Sequence, residues 1–176
     1  MGHKSIIEHD YLVFALCDVT PIVEQTLIGY RMTSFTVKSR REVDFRTVGF
    51  YTPEFRNKSG EIHEKNEELK EEYNKHMKML FNTYADIVDK EVSVEDARFI
   101  LPYSYHDNFI MGVNARELEK IIIALRFSNL SKIPDLKKVG EALYKIVKEK
   151  VPYLVPNIKS QELKEETGFE YLESME

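Results

Sequence analysis

The sequence is poor in cysteine and glycine. Its 176 residues include one cysteine, Cys17, and seven glycines. A single cysteine excludes an intrachain disulfide, a cysteine-based zinc cluster and a Cys-x-x-Cys redox pair, so we expect a reducing cytoplasm as the compartment. The few glycines form neither a Gly-x-Gly-x-x-Gly fingerprint nor a Lys-Ser/Thr phosphate loop, which excludes the nucleotide-binding folds that depend on those motifs.

Positive charge and long apolar runs are also scarce. Lys and Arg total 25 against 30 Asp and Glu, a formal net charge of −5, which argues against nucleic acid or an anionic membrane as the partner. The apolar run at residues 11–17 is far shorter than the roughly 18 residues of a membrane span, and it lacks the flanks of a secretion signal. The five histidines are scattered without a metal-binding motif. We therefore expect a soluble, unprocessed protein that binds no metal ion.

The apolar pattern predicts a helix-rich α+β protein, and a hydrophobic fraction of 43% is enough for a sizeable core. Short apolar runs predict strands over residues 11–17, 45–51 and 109–113, with Cys17 buried in the first of them. Helical periodicity predicts four longer helices, over residues 21–30, 61–90, 115–126 and 133–150. Residues 33–44 have no apolar period and are interpreted as a functional loop.

The length and the charge pattern favour one domain with a tail. We expect a domain over residues 1–155 and an acidic tail over residues 156–176. The tail has little core material, so we interpret it as loose or as a docking segment for a partner.

A basic segment between residues 31 and 41 stands out in this acidic chain. Its cationic residues are Arg31, Lys38, Arg40 and Arg41, with Arg46 close behind. Guanidinium groups and serine hydroxyls are the donors that a phosphate monoester needs. The segment therefore predicts either a phosphate site or an ordinary solvated loop.

A second pattern surrounds residues 114–118. Asn114 is predicted to cap the helix that follows, which places Arg116 in its first turn. A cation at that position opposes the helix dipole unless an anion or a carboxylate meets it. The alternatives are a bound phosphate and an ion pair of Arg116 with Glu117 or Glu119.

Four spaced motifs together resemble one family. They are Ser5-Ile-Ile-Glu-His9, Arg31-x2-Ser34-x4-Ser39-x-Arg41, Ala97-Arg98-x3-Pro102 and Asn114-Ala-Arg-Glu-Leu118. Over about residues 5–150 the chain resembles the flavin-dependent thymidylate synthases (ThyX), in which the motifs occur in this order. The resemblance implies a helix-rich single α+β domain with a small, mostly antiparallel sheet. It also implies a homotetramer whose active sites are shared between subunits.

The resemblance implies a reaction and a set of site residues. Members of the family transfer a methylene group from methylenetetrahydrofolate to C5 of dUMP, and FAD reduced by NADPH supplies the hydride. The nucleotide pocket would be lined by Lys38, Ser39, Arg40, Arg41 and Arg98. The flavin nucleotide would be contacted by Tyr30, Arg31, Asn114 and Arg116. Arg126 would be the catalytic arginine that stabilises the ionised pyrimidine.

The sequence also departs from the family pattern. The family signature opens Arg-His-Arg where this chain has Gly29-Tyr30-Arg31, and its Asn-Glu pair is Thr36-Val37 here. The family spacing places the pyrimidine-stabilising arginine at Leu125, one residue or roughly 100° of helix before Arg126. Three hypotheses therefore stand: a thymidylate synthase acting on dUMP, a divergent homologue acting on another pyrimidine nucleotide, and a non-catalytic nucleotide-binding subunit.

Overall fold

The structure is a computed structural model that describes the backbone of residues 4–166 and the side chains of residues 4–161. The strands are β1 (Tyr11–Val19), β2 (Thr33–Val37) and β3 (Asp107–Asn114). The helices are α1 (Pro21–Ile28), α2 (Asn66–Val88), α3 (Val94–Ala97), α4 (Ala115–Phe127), α5 (Pro134–Lys150) and α6 (Val155–Glu166). Short 3-10 turns occupy Ile6–His9, Arg98–Ile100, Asn129–Lys132 and Pro152–Leu154. Among the described helices, none has the length and apolar character needed to cross a membrane.

The three strands form one antiparallel sheet in the order β1, β3, β2, as expected for a small sheet in a helix-rich α+β fold. In β1 the side chains of Phe14 and Leu16 are buried, whereas those of Val13 and Cys17 are exposed. Successive side chains of a strand point to opposite faces. The strand was therefore predicted correctly, but the prediction that Cys17 is buried was wrong, because the thiol lies on the odd-numbered, open face.

The chain divides into two compact units. Among the described residues, unit 1 comprises residues 4–15, 22–36 and 110–166, and unit 2 comprises residues 16–21 and 37–109. Helices α4, α5 and α6 belong to unit 1, and helices α2 and α3 belong to unit 2.

Helix α4 is the centre of unit 1 and packs against α5, α6 and the 3-10 turn Ile6–His9. Asn114 caps it as predicted, since its side chain accepts a hydrogen bond from the Glu117 amide at 2.8 Å. A Cβ added at Gly140 of α5 would lie 2.7 Å from Leu125 Cβ. The two helices approach this closely because Gly140 has no side chain.

Unit 2 is built around α2, which contributes Met77, Phe81 and Tyr84 to an aromatic core with Phe45 and Tyr105. The rings of Phe45 and Tyr105 meet edge to face with centroids 5.4 Å apart. These large side chains supply the apolar area that holds this unit together.

Helix α2 begins five residues later than the sequence predicted. Asn66, its first residue, uses its side chain on the preceding loop, accepting from the Phe55 amide at 2.8 Å and donating to Glu54 at 2.6 Å. Residues 61–65 are drawn into the same loop, where Ile62 forms an isolated bridge with Arg56. The apolar residue Ile62 therefore belongs to the loop and not to the helix.

Other boundaries were predicted with mixed success. The helices predicted over 115–126 and 133–150 match α4 and α5 within one residue at each end, and the strand at 109–113 lies within β3. Residues 33–37 form strand β2 instead of a loop, and the predicted strand over 45–51 is reduced to an isolated bridge between Phe50 and Tyr105. Helix α6 occupies residues assigned to the tail, and its buried Ile158 shows why it is ordered. The rest of the predicted tail, residues 167–176, lies outside the described residues.

Candidate functional site

Unit 1 contains an open cleft of about 750 Å³. The end of α1, the cleft-facing side of α4, the N-terminal segment and α6 form its walls. Four cations line it, from Lys4, Arg31, Arg116 and Lys120, against the two carboxylates of Glu117 and Glu119. This excess of positive charge, in a chain whose net charge is negative, favours an anionic ligand.

Tyr30 and Arg31 enter the cleft from the turn that ends α1. The Tyr30 amide donates to the Leu27 carbonyl at 3.0 Å, and the Thr33 hydroxyl donates to the Tyr30 carbonyl at 2.5 Å, which fixes the turn before β2 begins. The Tyr30 side chain is half-buried and that of Arg31 is exposed. Within residues 4–161, no carboxylate pairs with Arg31, so its guanidinium group can meet an anion directly.

Arg116 reaches the cleft from the first turn of α4, as predicted. Its guanidinium Nη1 donates to the Glu8 carboxylate on the 3-10 turn Ile6–His9. The alternative partners named from the sequence are used elsewhere: Glu117 accepts from Lys120 at 3.0 Å, and Glu119 accepts from Lys4 at 2.5 Å. The cation that opposes the dipole of α4 is thus met by a carboxylate that lies 108 residues away in the sequence.

Glu119 is a buried carboxylate in the wall of the cleft, with 1% of its surface exposed. One oxygen accepts from Lys4 Nζ at 2.5 Å and the other from Asn157 Nδ2 at 2.9 Å. A buried charge is tolerated when it is paired and hydrogen-bonded, as here. Lys4 was not predicted as a site residue, and Glu119 was predicted only as a possible partner of Arg116, although an acidic residue beside the apolar stripe of α4 was a usable signal.

Arg126 lies on the side of α4 that faces α5. Its Nε donates to Glu141 at 2.9 Å, and its guanidinium lies 4.0 Å from the centre of the Tyr144 ring. The side chain is 8% exposed, and neither it nor the fully buried Leu125 belongs to the walls of the cleft. Within unit 1, Arg126 binds α4 to α5.

The residues predicted to bind the nucleotide lie in unit 2, around the loop that follows β2. Arg40 turns inward, donating to the Tyr105 hydroxyl at 2.6 Å and lying 3.4 Å from the carboxylate of Asp107, which is fully buried. Lys38 places its ammonium 4.8 Å from the centre of the Phe45 ring. These two cations hold the loop to the core of unit 2.

Ser39 and Arg41 occupy the outer part of the same loop. The Ser39 hydroxyl accepts from the Arg41 amide at 3.3 Å, and the Ser39 carbonyl accepts from the Val43 amide at 3.0 Å. Arg41 pairs with Glu95 of α3 at 2.8 Å, and 63% and 45% of the two side-chain surfaces are exposed. Arg98 lies in the 3-10 turn that follows α3, with its guanidinium 5.3 Å from the centre of the Phe99 ring. Ser39 and Arg41 thus lie in one loop, and Arg41 is joined to α3, the helix that precedes Arg98.

Comparisons with known proteins bear on this arrangement. Residues 1–153 match the family described as Thy1, thymidylate synthase complementing protein. The chain belongs to the Thy1 family.

Relatives of this Thy1 protein include the flavin-dependent thymidylate synthases of Geobacter sulfurreducens and Thermococcus onnurineus. The first is 32% identical over 118 residues, covering 67% of this chain and 49% of the relative. The second is 33% identical over 125 residues, covering 69% of this chain and 48% of the relative. The chain thus spans about half the length of these relatives.

The fold of this Thy1 protein is also that of a solved structure. The crystal structure of flavin-dependent thymidylate synthase ThyX from Helicobacter pylori, complexed with FAD and dUMP, matches it with a TM-score of 0.65. The match covers 86% of this chain and 74% of the other at 20% sequence identity.

The candidate residues of this Thy1 protein thus divide between its units. Tyr30, Arg31 and Arg116 line the cleft of unit 1, whereas the Asn114 side chain is used as a helix cap. Lys38, Ser39, Arg40, Arg41 and Arg98 all lie in unit 2. Among the described side chains, no group of three or more His, Cys, Asp or Glu residues is arranged to hold a metal ion.

Proposed function

We propose that this protein is a flavin-dependent thymidylate synthase, an FAD-dependent methyltransferase. It would transfer a methylene group from methylenetetrahydrofolate to C5 of dUMP, with NADPH as the reductant. The observation that carries the proposal is the convergence of Tyr30, Arg31 and Arg116 on one cationic cleft. These residues come from two motifs about 85 residues apart in the sequence, and both motifs are those that suggested a flavin site.

The residues of the cleft fit FAD. The diphosphate of FAD carries negative charge, and the cleft offers it donors from Arg31 after α1 and from Arg116 and Lys120 on α4. The half-buried ring of Tyr30 supplies an aromatic face for a flat ring system. A volume of about 750 Å³ lies within the usual range for cofactor sites, about 300–1,000 Å³. When bound, FAD would supply the hydride that reduces the transferred carbon to a methyl group.

The phosphate of the nucleotide would be bound in unit 2 by Ser39, Arg41 and Arg98. Arg40 would act as support, because its hydrogen bond to Tyr105 and its proximity to Asp107 hold the loop in place. Arg41 can exchange Glu95 for a phosphate, since an exposed ion pair contributes little to stability. A phosphate would offer a doubly charged acceptor in its place.

We further propose, on the basis of family membership, a homotetramer with shared active sites and a cytoplasmic location. Residues 1–155 would form the domain that carries the flavin and nucleotide sites, and residues 156–176 would form an acidic C-terminal segment.

A second candidate function is the modification of a different pyrimidine nucleotide by a divergent family member. The position of Arg126 favours it, because this guanidinium lies against Glu141 and Tyr144 of α5 while Leu125 is fully buried. The chain would then stabilise its pyrimidine by another group. Arg126 as the catalytic arginine stays a prediction, which the substitution Arg126→Ala tests.

The test combines a spectrum with a genetic complementation. Purified protein incubated with FAD should retain flavin absorption bands, which bleach with NADPH and recover in air. Expression should rescue a bacterial strain that requires thymidine. Flavin uptake without rescue would reject dUMP as the substrate and favour the second candidate. A protein that takes up no FAD would reject the flavoenzyme and leave a nucleotide-binding subunit.

A further inference from the structure

The N-terminal 3-10 turn Ile6–His9 packs against α4 but buries little of its own surface, with Ile7 half-buried. None of its four side chains is buried, and Ile6 is 70% exposed. A backbone hydrogen bond of 2.9 Å joins the Ala115 amide to the Asp10 carbonyl just after the turn. The described side chains of the turn make one polar contact with α4, the ion pair of Glu8 with Arg116. A segment with so little buried apolar surface can shift without loss of the core.

Glu8 pairs with a guanidinium group of the cleft that would otherwise be free to bind a ligand. Arg116 lines the cleft, and its Nη1 donates to a Glu8 oxygen. A guanidinium group binds a carboxylate and a phosphate with the same planar array of N–H donors. The two acceptors therefore compete for the same donors on Arg116.

The two carboxylates that line the cleft are less suited to compete with a ligand than Glu8 is. Glu119 is buried and shared between Lys4 and Asn157, so its removal would disturb three segments of unit 1. Glu117 pairs with Lys120 on its own helix. Of these three pairs, the one formed by Glu8 joins two exposed side chains from separate elements, with 42% and 40% of their surfaces accessible.

We propose that Glu8 is an internal competitor for the anionic group that binds in the cleft. In the free protein it neutralises Arg116, and a phosphate or diphosphate group displaces it on binding. Glu8 thus lowers the affinity of the cleft for anions, and only an anion that binds Arg116 more strongly than Glu8 does will displace it. The inference rests on the proposed function only in taking the diphosphate of FAD as that ligand.

The experiment is a double-mutant cycle with inorganic pyrophosphate as the probe, measured by isothermal titration calorimetry. The variants are Glu8→Gln, Arg116→Gln and the pair together. Glu71→Gln is the matched control, because this exposed glutamate of α2 carries the same charge and lies in unit 2. Glu8→Gln should tighten pyrophosphate binding by about threefold, the effect expected for the loss of one exposed ion pair. The same change should have no effect when Arg116 is already glutamine, and the control should bind as the natural protein does.

Several results would overturn the inference. They are an unchanged or weaker affinity for Glu8→Gln, an equal gain in the Arg116→Gln background or in the control, and no measurable pyrophosphate binding by any variant. A parallel titration with FAD separates this result from the proposed function. If the pyrophosphate cycle behaves as expected but FAD does not bind, the role of Glu8 stands and the flavoenzyme proposal fails. If FAD binds but Glu8→Gln does not change pyrophosphate affinity, the role of Glu8 is rejected and the flavoenzyme proposal stands.

Discussion

Replacement of Arg126 by alanine tests whether this residue is structural or catalytic. The change removes the hydrogen bond of 2.9 Å to Glu141 and the guanidinium 4.0 Å from the Tyr144 ring centre. A hydrogen bond to a charged group contributes about 1.5–3 kcal/mol and a cation–π contact about 0.5–2 kcal/mol. Because Glu141 is half exposed, solvent screening reduces the first figure. We therefore expect a loss of about 2–3 kcal/mol in the free energy of unfolding.

The assay is thermal and urea unfolding of Arg126→Ala beside Lys138→Ala, which removes an exposed cation of α5. For a chain of this size, about 2–4 °C are lost per kcal/mol, so Tm should fall by about 4–12 °C. The control should change Tm by less than about 2 °C, as surface substitutions do. An Arg126→Ala protein with unchanged Tm and no thymidylate synthase activity would refute the structural reasoning and support the catalytic assignment.

Three further predictions concern packing, the nucleotide loop and pH. Gly140→Val should destabilise the protein by at least about 1–3 kcal/mol in urea unfolding, because its Cβ would lie 2.7 Å from that of Leu125; an equally stable variant would contradict this packing. Arg41→Ala should weaken dUMP binding by about tenfold in calorimetry, and unchanged affinity would remove Arg41 from the site. Burial raises the pKa of Asp44, but hydrogen bonds from Arg46 outweigh it and leave the pKa below its ordinary value of 3.8. That stabilisation is present above the ordinary pKa of 3.8 and is lost as pH falls through the lower pKa of the folded protein. Asp44→Asn should therefore be less stable than the natural protein at pH 7 in urea unfolding, and the difference should shrink as pH is lowered below 3.8.

The helices of unit 1 were predictable because their periodicity is strong. Leu118, Ile121, Ile122 and Leu125 recur at the spacing of one helix face, and Asn114 marks where α4 begins. Local signals of this kind depend only on neighbouring residues. They placed both ends of α4 and α5 within one residue.

Strand β2 was missed because its alternation involves polar residues. In Thr33-Ser-Phe-Thr-Val37 the partly buried and exposed positions alternate, but threonine and serine fill most of them. A pattern search based on apolar residues reads such a segment as a loop. Sheet pairing, and not hydrophobicity, makes these residues a strand.

The sequence motifs predicted residues of the candidate site, but they did not predict the contacts that those residues make. The sequence indicated Arg31 and Arg116, and the structure places both in one cleft. The partners that set their charge environment could not be foreseen, because Glu8 meets Arg116 across 108 residues and Lys4 meets Glu119 across 115. Pairs so far apart in the chain are specified by the packing of elements, which no local pattern records.

The most direct test of the central claim is a fluorescence titration of FAD with the natural protein and two variants. Arg31→Gln removes the cleft cation with which no carboxylate of residues 4–161 pairs, and Arg56→Gln removes an exposed arginine of unit 2 as a matched control. We expect FAD to bind the natural protein and the control equally, and Arg31→Gln about tenfold more weakly, as for the loss of one charged hydrogen bond. Absence of FAD binding by the natural protein, or equal affinity for all three proteins, would contradict the assignment of this cleft.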